Sequence, residues 1–158
     1  MLKINQTQKE ELGGFKSLEI ILLKDVLNCP YILTNANALE LTYRQFFEED
    51  ISILPVEESI YMRSRPKRKA SGILYSLDAG FQVKYIEPNL EESLANYHLK
   101  QVIVKGFTNS NKVVIYGSAQ NPLLFYYEPE HSTSIETTSK IRINCKAEIS
   151  QKPVIAAL

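Results

Sequence analysis

Short apolar stretches separated by turn-forming residues recur along the chain. Residues 18–23, which follow Gly13 and Gly14, form a short segment rich in aliphatic and β-branched side chains, which is typical of a buried strand. Residues 141–149 alternate between apolar and polar side chains, which predicts a strand with one face in water. Residues 39–43 alternate in the same way and predict a shorter strand. The pattern therefore predicts a protein built mainly from β-strands.

Two β-branched runs in the second half of the chain predict a β-hairpin. They occupy residues 101–107 and 112–116, and the turn-forming residues 108–111 lie between them. A further strand is expected at residues 123–127. The tail at 154–158 is apolar, so we expect it either to pack back on the domain or to dock on a neighbour.

One segment has the periodicity of a helix instead. Within residues 87–100, Leu90, Leu94 and Tyr97 recur at spacings of four and three, which places them on one stripe of a helix. Asn89 precedes this stripe and is expected to cap the first turn. The sequence therefore predicts one amphipathic helix packed on a sheet.

The sharpest local feature is a run of cations within residues 60–85. The apolar segments on both sides predict a long β-hairpin, and the run is expected at its tip, so that a basic hairpin projects at about residues 60–75. A second exposed segment is the loop of Ser, Thr and Glu at about 129–140, which we expect to be mobile. The five cations of the run are Arg63, Arg65, Lys67, Arg68 and Lys69.

Length and composition agree with one ordinary domain that spans residues 1–158. Of the 158 residues, 44% are hydrophobic and 23% are charged, which is close to the average for soluble globular proteins. Together with the pattern of elements, these values predict an α+β fold that is mainly β. We expect an antiparallel β-sandwich or a partly closed barrel, with one flanking amphipathic helix and a long β-hairpin.

Charge, hydropathy and cysteine content restrict the partners and the cellular compartment that we expect for the protein. The 18 Lys and Arg residues balance 18 Asp and Glu residues, which argues against a global positive field for nucleic acid. No apolar stretch reaches the ~20 residues that cross a bilayer, and no secretory signal is visible, so we expect a cytosolic protein with no membrane partner. Cys29 and Cys145 are expected to be two buried thiols.

Side chains suited to catalysis are sparse. His98 and His131 are the only histidines in the sequence, which leaves little material for a metal site or a histidine-dependent triad. The adjacent carboxylates Glu48, Glu49 and Asp50 would diverge on a strand or a helix, so adjacency alone does not make a catalytic dyad. We therefore expect no enzyme activity, no cofactor and no metal site.

Three segments follow one another in an order that resembles a known family. The hairpin at 60–85, the helix at 88–97 and the strands at 102–127 resemble the tail-tube, tail-terminator and neck proteins of tailed phages. Gly-Ile-Leu-Tyr at 72–75 and Asn-Pro-Leu-Leu-Phe at 121–125 are also similar to segments of small prophage proteins. The resemblance implies a β-sandwich or partly closed barrel with one helix, and a hairpin that reaches adjacent subunits of a ring.

The function implied by this resemblance is that of a structural virion protein of a phage tail or neck. Such a protein is assembled in the host cytoplasm, forms homo-oligomeric rings and docks on neighbouring tail or neck proteins. A head-to-tail ring requires two different complementary patches, and the basic hairpin and an acidic run are the candidates. The candidate interaction residues are Arg63, Arg65, Lys67, Arg68, Lys69, Glu48, Glu49 and Asp50.

Two other classes of function stay open at this point. The first is a nucleic-acid-associated protein that uses the basic hairpin at 63–69, with at least non-specific proximity to DNA. The second is a small ligand-binding domain of unknown specificity.

Overall fold

Aliphatic and aromatic side chains at alternate positions build most of the chain into β-strands, as expected from the sequence. The computed structural model describes residues 1–5, 14–45, 51–56, 58–84, 88–130 and 139–157. Within these residues it contains twelve strands and a single α-helix, so the fold is mainly β. The elements are β1 (Leu2–Asn5), β2 (Phe15–Leu22), β3 (Val26–Asn28), β4 (Thr42–Tyr43), β5 (Ile51–Ile53), β6 (Tyr61–Lys69), β7 (Gly72–Lys84), α1 (Pro88–Ala95), β8 (Gln101–Thr108), β9 (Lys112–Tyr116), β10 (Leu123–Glu130), β11 (Lys140–Ile149) and β12 (Val154–Ala157).

One large sheet contains ten of these strands. Eight of them form a continuous pairing path in the order β5-β1-β2-β8-β10-β11-β7-β6. Strand β8 also pairs with β9, which in turn pairs with β12. The ladders are antiparallel except for β1 with β5, which run parallel within the described residues. Strands β3 and β4 form a separate two-stranded ladder.

Two apolar clusters lie on opposite sides of β2 and β8. Ile20 belongs to the larger cluster, which also contains Phe81 and Phe125. Ile21 belongs to the smaller cluster, which is covered by the segment at 23–43. Successive residues of a strand point to opposite faces. Because an apolar cluster lies on each face of β2, this strand needs apolar side chains on both faces. This is why Ile20, Ile21 and Leu22 follow one another in β2 without alternation.

The helix is shorter than the sequence predicts. Leu94 is fully buried, and Leu90 and Tyr97 pack against the larger cluster, which confirms the predicted stripe. The helix covers only Pro88–Ala95, however, and the residues up to Lys100 form turns. Asn89 lies inside the first turn, so its predicted role as the residue that precedes and caps the helix is wrong.

The predicted strand at 39–43 is also wrong for most of its length. Ala38–Glu40 is a short 3₁₀ turn, and only Thr42–Tyr43 is a strand. The Asn37 side chain explains the difference, because its Oδ1 accepts from the Thr34 backbone N–H at 2.7 Å and its Nδ2 donates to the Ile32 carbonyl at 2.9 Å. Such local side-chain bonds compete with strand pairing.

Most other predicted strands are confirmed. The first predicted core strand is β2, the predicted hairpin is β8 with β9, and the predicted strands at 123–127 and 141–149 are β10 and β11. The apolar tail packs back on the fold, where β12 pairs with β9. The N-terminal strand β1 was not predicted. Of the loop expected at 129–140, residues 131–138 lie outside the described residues.

The two cysteines differ in their surroundings. Cys145 is fully buried, and burial raises the pKa of its thiol well above the usual range. Cys29 is half-buried, so the prediction of two buried thiols is right only for Cys145. Both thiols are free. In the described part of the chain, no helix combines the length and the hydropathy needed to span a membrane.

Candidate interaction site

The basic run lies along one strand of a β-hairpin and reaches its tip. Strands β6 and β7 pair from Tyr61 opposite Gly80 to Lys69 opposite Gly72, and the turn consists of Ala70 and Ser71. The cations therefore extend along β6 as far as the turn, so only the end of the run lies at the tip where the sequence predicts all of it. Since β6 ends the pairing path, the cations occupy an edge strand of the large sheet.

The outer part of this hairpin projects from the sheet. The last pair between β7 and the neighbouring β11 joins Tyr75 to Ile149. Residues 67–74 extend beyond that pair as a two-stranded ribbon, which we call the basic arm. Every residue from 65 to 73 is exposed. The hairpin predicted at about 60–75 thus divides into a part held in the sheet and a shorter projecting arm.

Alternation along β6 sorts its side chains onto two faces. Arg63, Arg65, Lys67 and Lys69 share one face. Arg68 lies on the other, where it pairs with Ile73 of β7. Ile73 is 56% exposed, so this second face of the arm combines a cation with an uncovered apolar side chain.

Glu148 of β11 fastens the arm to the sheet. Its carboxylate oxygens lie 2.7 Å from Lys67 Nζ and 3.2 Å from Lys69 Nζ. Hydrogen bonds from these two ammonium groups lower the pKa of Glu148 below its usual value. All three side chains are about half exposed, which limits the stabilisation that such ion pairs provide. The contact orients the arm more than it stabilises the fold.

The three arginines of the run have different surroundings. The Arg63 guanidinium carbon lies 4.8 Å from the centre of the Tyr61 ring, a cation–π arrangement. Arg65 and Arg68 form no ion pair with any residue that the structure describes. These two exposed charges are therefore available for a partner without loss of an internal contact.

A polar cluster anchors the base of β6. The Tyr61 hydroxyl lies 2.5 Å from Asn144 Oδ1 and 3.1 Å from Asp78 Oδ1. Burial, together with the negative charge of Asp78, raises the pKa of Tyr61 above its usual value. Asn144 is 5% exposed and projects from the face of the sheet that carries Arg63. Tyr61 covers it and so hydrogen-bonds a polar group that would otherwise be left buried without a donor.

Part of this arrangement has a purely structural explanation. Lys, Arg and Pro are the residues that proteins place on edge strands to prevent pairing with other chains. Pro66, in the middle of β6, has no N–H to donate and pairs with Tyr75. The composition of β6 therefore disfavours the addition of another strand along its edge. Contact through the side chains of the arm is unaffected by Pro66.

The structure brings together only part of the predicted site. It places all five cations on one strand, whereas Glu48, Glu49 and Asp50 lie outside the described residues. Sequence reasoning missed Glu148, Tyr61 and Asn144. For Glu148 and Asn144 the signal was the polar side of the alternating pattern in β11, but the sequence could not show that this side lies on the same face of the sheet as Tyr61, Lys67 and Lys69.

His98, the histidine that the structure describes, makes a structural contact. The Nδ1 atom of His98 accepts the Tyr127 backbone N–H at 3.2 Å, so this histidine helps to hold β10 beside α1. No group of three or more His, Cys, Asp or Glu residues is placed to hold a metal ion within the described ranges.

Comparison with known proteins found no matching family model, no matching curated protein and no matching solved structure.

Proposed function

We propose that this protein is a structural subunit that assembles with further copies of itself through the basic arm. The observation that carries the proposal is the projection of residues 67–74 beyond the last pair of β7 with β11. A two-stranded ribbon is marginally stable by itself in water, and this one exposes both faces. A partner would supply the burial that the ribbon lacks in the single subunit.

The arm is pre-oriented for such a contact. The bonds from Lys67 and Lys69 to Glu148 restrict its direction before any partner binds. A group that is already held near its bound geometry loses less conformational entropy on association. Arg68 on the arm and Arg65 at its base are left to meet the partner.

Charge favours a second copy of the chain as that partner. The sequence has 18 basic and 18 acidic residues, and five of the basic ones lie at 63–69. The rest of the chain therefore has thirteen basic and eighteen acidic residues, a net charge of −5. Complementary charge speeds encounter and suppresses wrong partners. Contact of the arm of one copy with the acidic remainder of another is a head-to-tail interaction, which closes into rings or extends into filaments.

The order of the elements also supports a proposal about the assembly to which the subunit belongs. A hairpin that reaches out from a β-rich body with one helix is what the resemblance to phage tail and neck proteins implies. On that analogy the subunit belongs to a virion, is assembled in the host cytoplasm and also docks on neighbouring tail or neck proteins. The assignment to a virion rests on the analogy between folds alone.

The direct test is the mass of the protein in solution, measured by light scattering over a concentration series. The wild type is expected to form oligomers of defined size. The double variant Arg65→Glu, Arg68→Glu is expected to stay monomeric and folded, because neither arginine makes an ion pair with a described residue. Lys24→Glu, Lys100→Glu changes the net charge equally at exposed positions away from the arm and should assemble like the wild type. A wild type that is monomeric at every concentration, or an arm variant that assembles normally, would contradict the proposal.

One observation favours a second candidate function, contact with nucleic acid. Arg63, Arg65, Lys67 and Lys69 lie on one face of β6, and phosphates are bound by such cations. Against this, Glu148 already neutralises part of the charge of Lys67 and Lys69. Binding to duplex DNA that weakens steeply with salt, and that the Arg65→Glu, Arg68→Glu variant loses, would favour this second function over self-assembly.

A further inference from the structure

A cleft lies where three loops meet beside the start of β12. Residues 31–36 form one wall, residues 120–121 of the connection between β9 and β10 form the second, and residues 150–153 between β11 and β12 form the third. We call this the loop cleft. Its volume is about 750 Å³, which falls within the range of roughly 300–1,000 Å³ that is usual for small-molecule sites.

Hydrogen bonds within the loops hold the loop cleft in shape. Asn35 Oδ1 accepts the Ile155 backbone N–H at 3.0 Å, which ties the first wall to β12. In the second wall, the Ser118 N–H donates to the Asn121 carbonyl at 3.0 Å, and the Asn121 N–H donates to the Ser118 hydroxyl at 3.2 Å. Ser118 is fully buried, which further restricts this turn. Because these walls are formed before any ligand binds, binding costs less conformational entropy.

Polar side chains that make no internal hydrogen bond converge on the loop cleft. Gln151 is the most informative of them, because its Nε2 atom is buried and has no hydrogen-bond partner among the residues that the structure describes. A buried donor without an acceptor is unfavourable, so a ligand that supplies the acceptor gains affinity. In the described part of the chain, six lining residues have side chains that form neither a hydrogen bond nor an ion pair: Thr34, Gln120, Asn121, Ser150, Gln151 and Lys152.

Gln151 can present its donor to a ligand without losing a contact. The residue lines the cleft, but its Nε2 atom is covered in the free protein, so the side chain has to turn about its own bonds to bring the amide to the cleft surface. Because the amide nitrogen makes no hydrogen bond to a described residue where it lies, this turn breaks none. The hydrogen bond to the ligand is therefore a net gain.

The chemistry of the lining selects an uncharged, hydroxylated ligand. Amides and hydroxyls both donate and accept hydrogen bonds, as sugar hydroxyls do, whereas ammonium groups only donate and carboxylates only accept. Among the described lining residues, Lys152 carries the only charge and no Asp or Glu occurs. Tyr31 adds an aromatic ring that is 78% exposed, against which the apolar face of a sugar ring can pack. A polyanion would require more cations than these lining residues offer.

An extended peptide fits the loop cleft less well than a sugar does. Peptides that bind as an added strand pair with the free backbone groups of an edge strand. Within the described residues β12 pairs only with β9, so it is such an edge beside the cleft. Its Ile155 N–H is already bonded to Asn35 Oδ1, however, and an added strand would have to break that bond.

We propose that the loop cleft binds a saccharide, with the ring of Tyr31 against its apolar face and the amide of Gln151 bonded to its hydroxyls. This site does not depend on the proposed self-assembly, because none of the described lining residues belongs to the basic arm at 67–74. It gives the protein a second surface, which recognises a small ligand and not another subunit.

Titration of the full chain followed by NMR tests the proposal. The probes are glucose, galactose, mannose, N-acetylglucosamine, cellobiose and lactose, each up to about 50 mM, which is enough to detect a Kd in the millimolar range. At least one of them is expected to shift the side-chain amide signals of Gln120, Asn121 and Gln151 in a saturable way. The competing probe is N-acetyl-trialanine amide. If no sugar shifts these signals, or if only the peptide does, the proposal is overturned.

Two variants separate a binding role from a structural one. Gln151→Leu removes the donor and should weaken sugar binding at least about fivefold. The free energy of unfolding should stay the same or rise, because the leucine leaves no buried donor unpaired. Tyr31→Ala should weaken binding by a similar factor and leave stability unchanged, because its ring is exposed. The matched controls are Gln101→Leu and Leu39→Ala, at exposed positions outside the described lining.

The controls should bind sugar like the wild type. Sugar binding that neither Gln151→Leu nor Tyr31→Ala weakens would place the site elsewhere, and so would equal weakening in the controls. A loss of stability in Gln151→Leu would show that this amide is structural and would overturn its assignment as the donor to the ligand.

Discussion

The Tyr61 hydroxyl donates a hydrogen bond of 2.5 Å to Asn144 Oδ1 across an intervening strand. Tyr61 belongs to β6 and Asn144 to β11, and Gly80 of β7 is paired with both of them. The bond passes over Gly80 because glycine has no side chain in the way. It ties the edge strand that bears the basic arm to the centre of the sheet.

Removing the Tyr61 hydroxyl should destabilise the fold. Tyr61→Phe keeps the ring but leaves the buried Asn144 carbonyl without this donor, which costs about 1–3 kcal/mol. Urea unfolding followed by circular dichroism measures the change. Tyr126→Phe, on the same face of the sheet, is the matched control and should change the free energy of unfolding by less than about 0.5 kcal/mol. Equal effects of the two variants would show that the bond to Asn144 contributes nothing.

A side chain at Gly80 should also be costly. A Cβ atom there would lie 2.1 Å from the Ile143 carbonyl oxygen and 3.0 Å from the Tyr61 hydroxyl. Because a strand backbone cannot move aside easily, Gly80→Ala should lower the free energy of unfolding by about 1–3 kcal/mol. At Gly106 the nearest atoms are Met62 Sδ at 2.4 Å and Phe15 Cε1 at 2.9 Å, and both belong to side chains, which move more easily than a strand backbone. Gly106→Ala should therefore cost less, and the reverse order in chemical denaturation would disprove the explanation.

Glu148 should control how firmly the arm is held. Glu148→Gln removes the charge that binds Lys67 and Lys69, so the arm should open more often and trypsin should cut it about two to five times faster. Cleavage is expected after Lys67, Arg68 and Lys69, and mass spectrometry of the fragments identifies the sites. Glu128→Gln, at an exposed position of β10, serves as the control. An unchanged cleavage rate in Glu148→Gln would mean that the ion pairs do not restrain the arm.

The same carboxylate predicts a pH dependence with a definite sign. The pKa of Glu148 is lowered in the folded protein, so its contribution is present above the usual pKa of 4.5 and is lost as the pH falls through the lowered value. Opening of the arm, followed by hydrogen exchange of its amides, should therefore increase in acid in the wild type. The Glu148→Gln variant should lack this component. If arm opening depended on pH identically in the wild type and in Glu148→Gln, groups other than Glu148 would be responsible for the pH dependence.

The elements that sequence predicted well are those whose signal is local. Alternation gave β11, β-branched runs separated by turn residues gave the hairpin of β8 and β9, and the stripe of Leu90 and Leu94 gave α1. The strand at 39–43 failed because the Asn37 side chain bonds to its own neighbours and turns the chain. Strand β1 was missed because a four-residue strand needs β2 and β5 beside it to exist.

What the sequence determined by itself is the mainly β character of the fold, the position of its helix and the cluster of five cations at 63–69. Only the tertiary structure decided that these cations line an edge strand and that Glu148 lies within reach of Lys67. It also decided that β7 extends beyond its last pair with β11, so that an arm projects. The groove lined by residues of β5, β7 and α1 likewise exists only because these three elements meet in space. The reason is physical: propensity and alternation act between near neighbours in the chain, whereas pairing register joins residues such as Lys67 and Glu148 that are 81 positions apart.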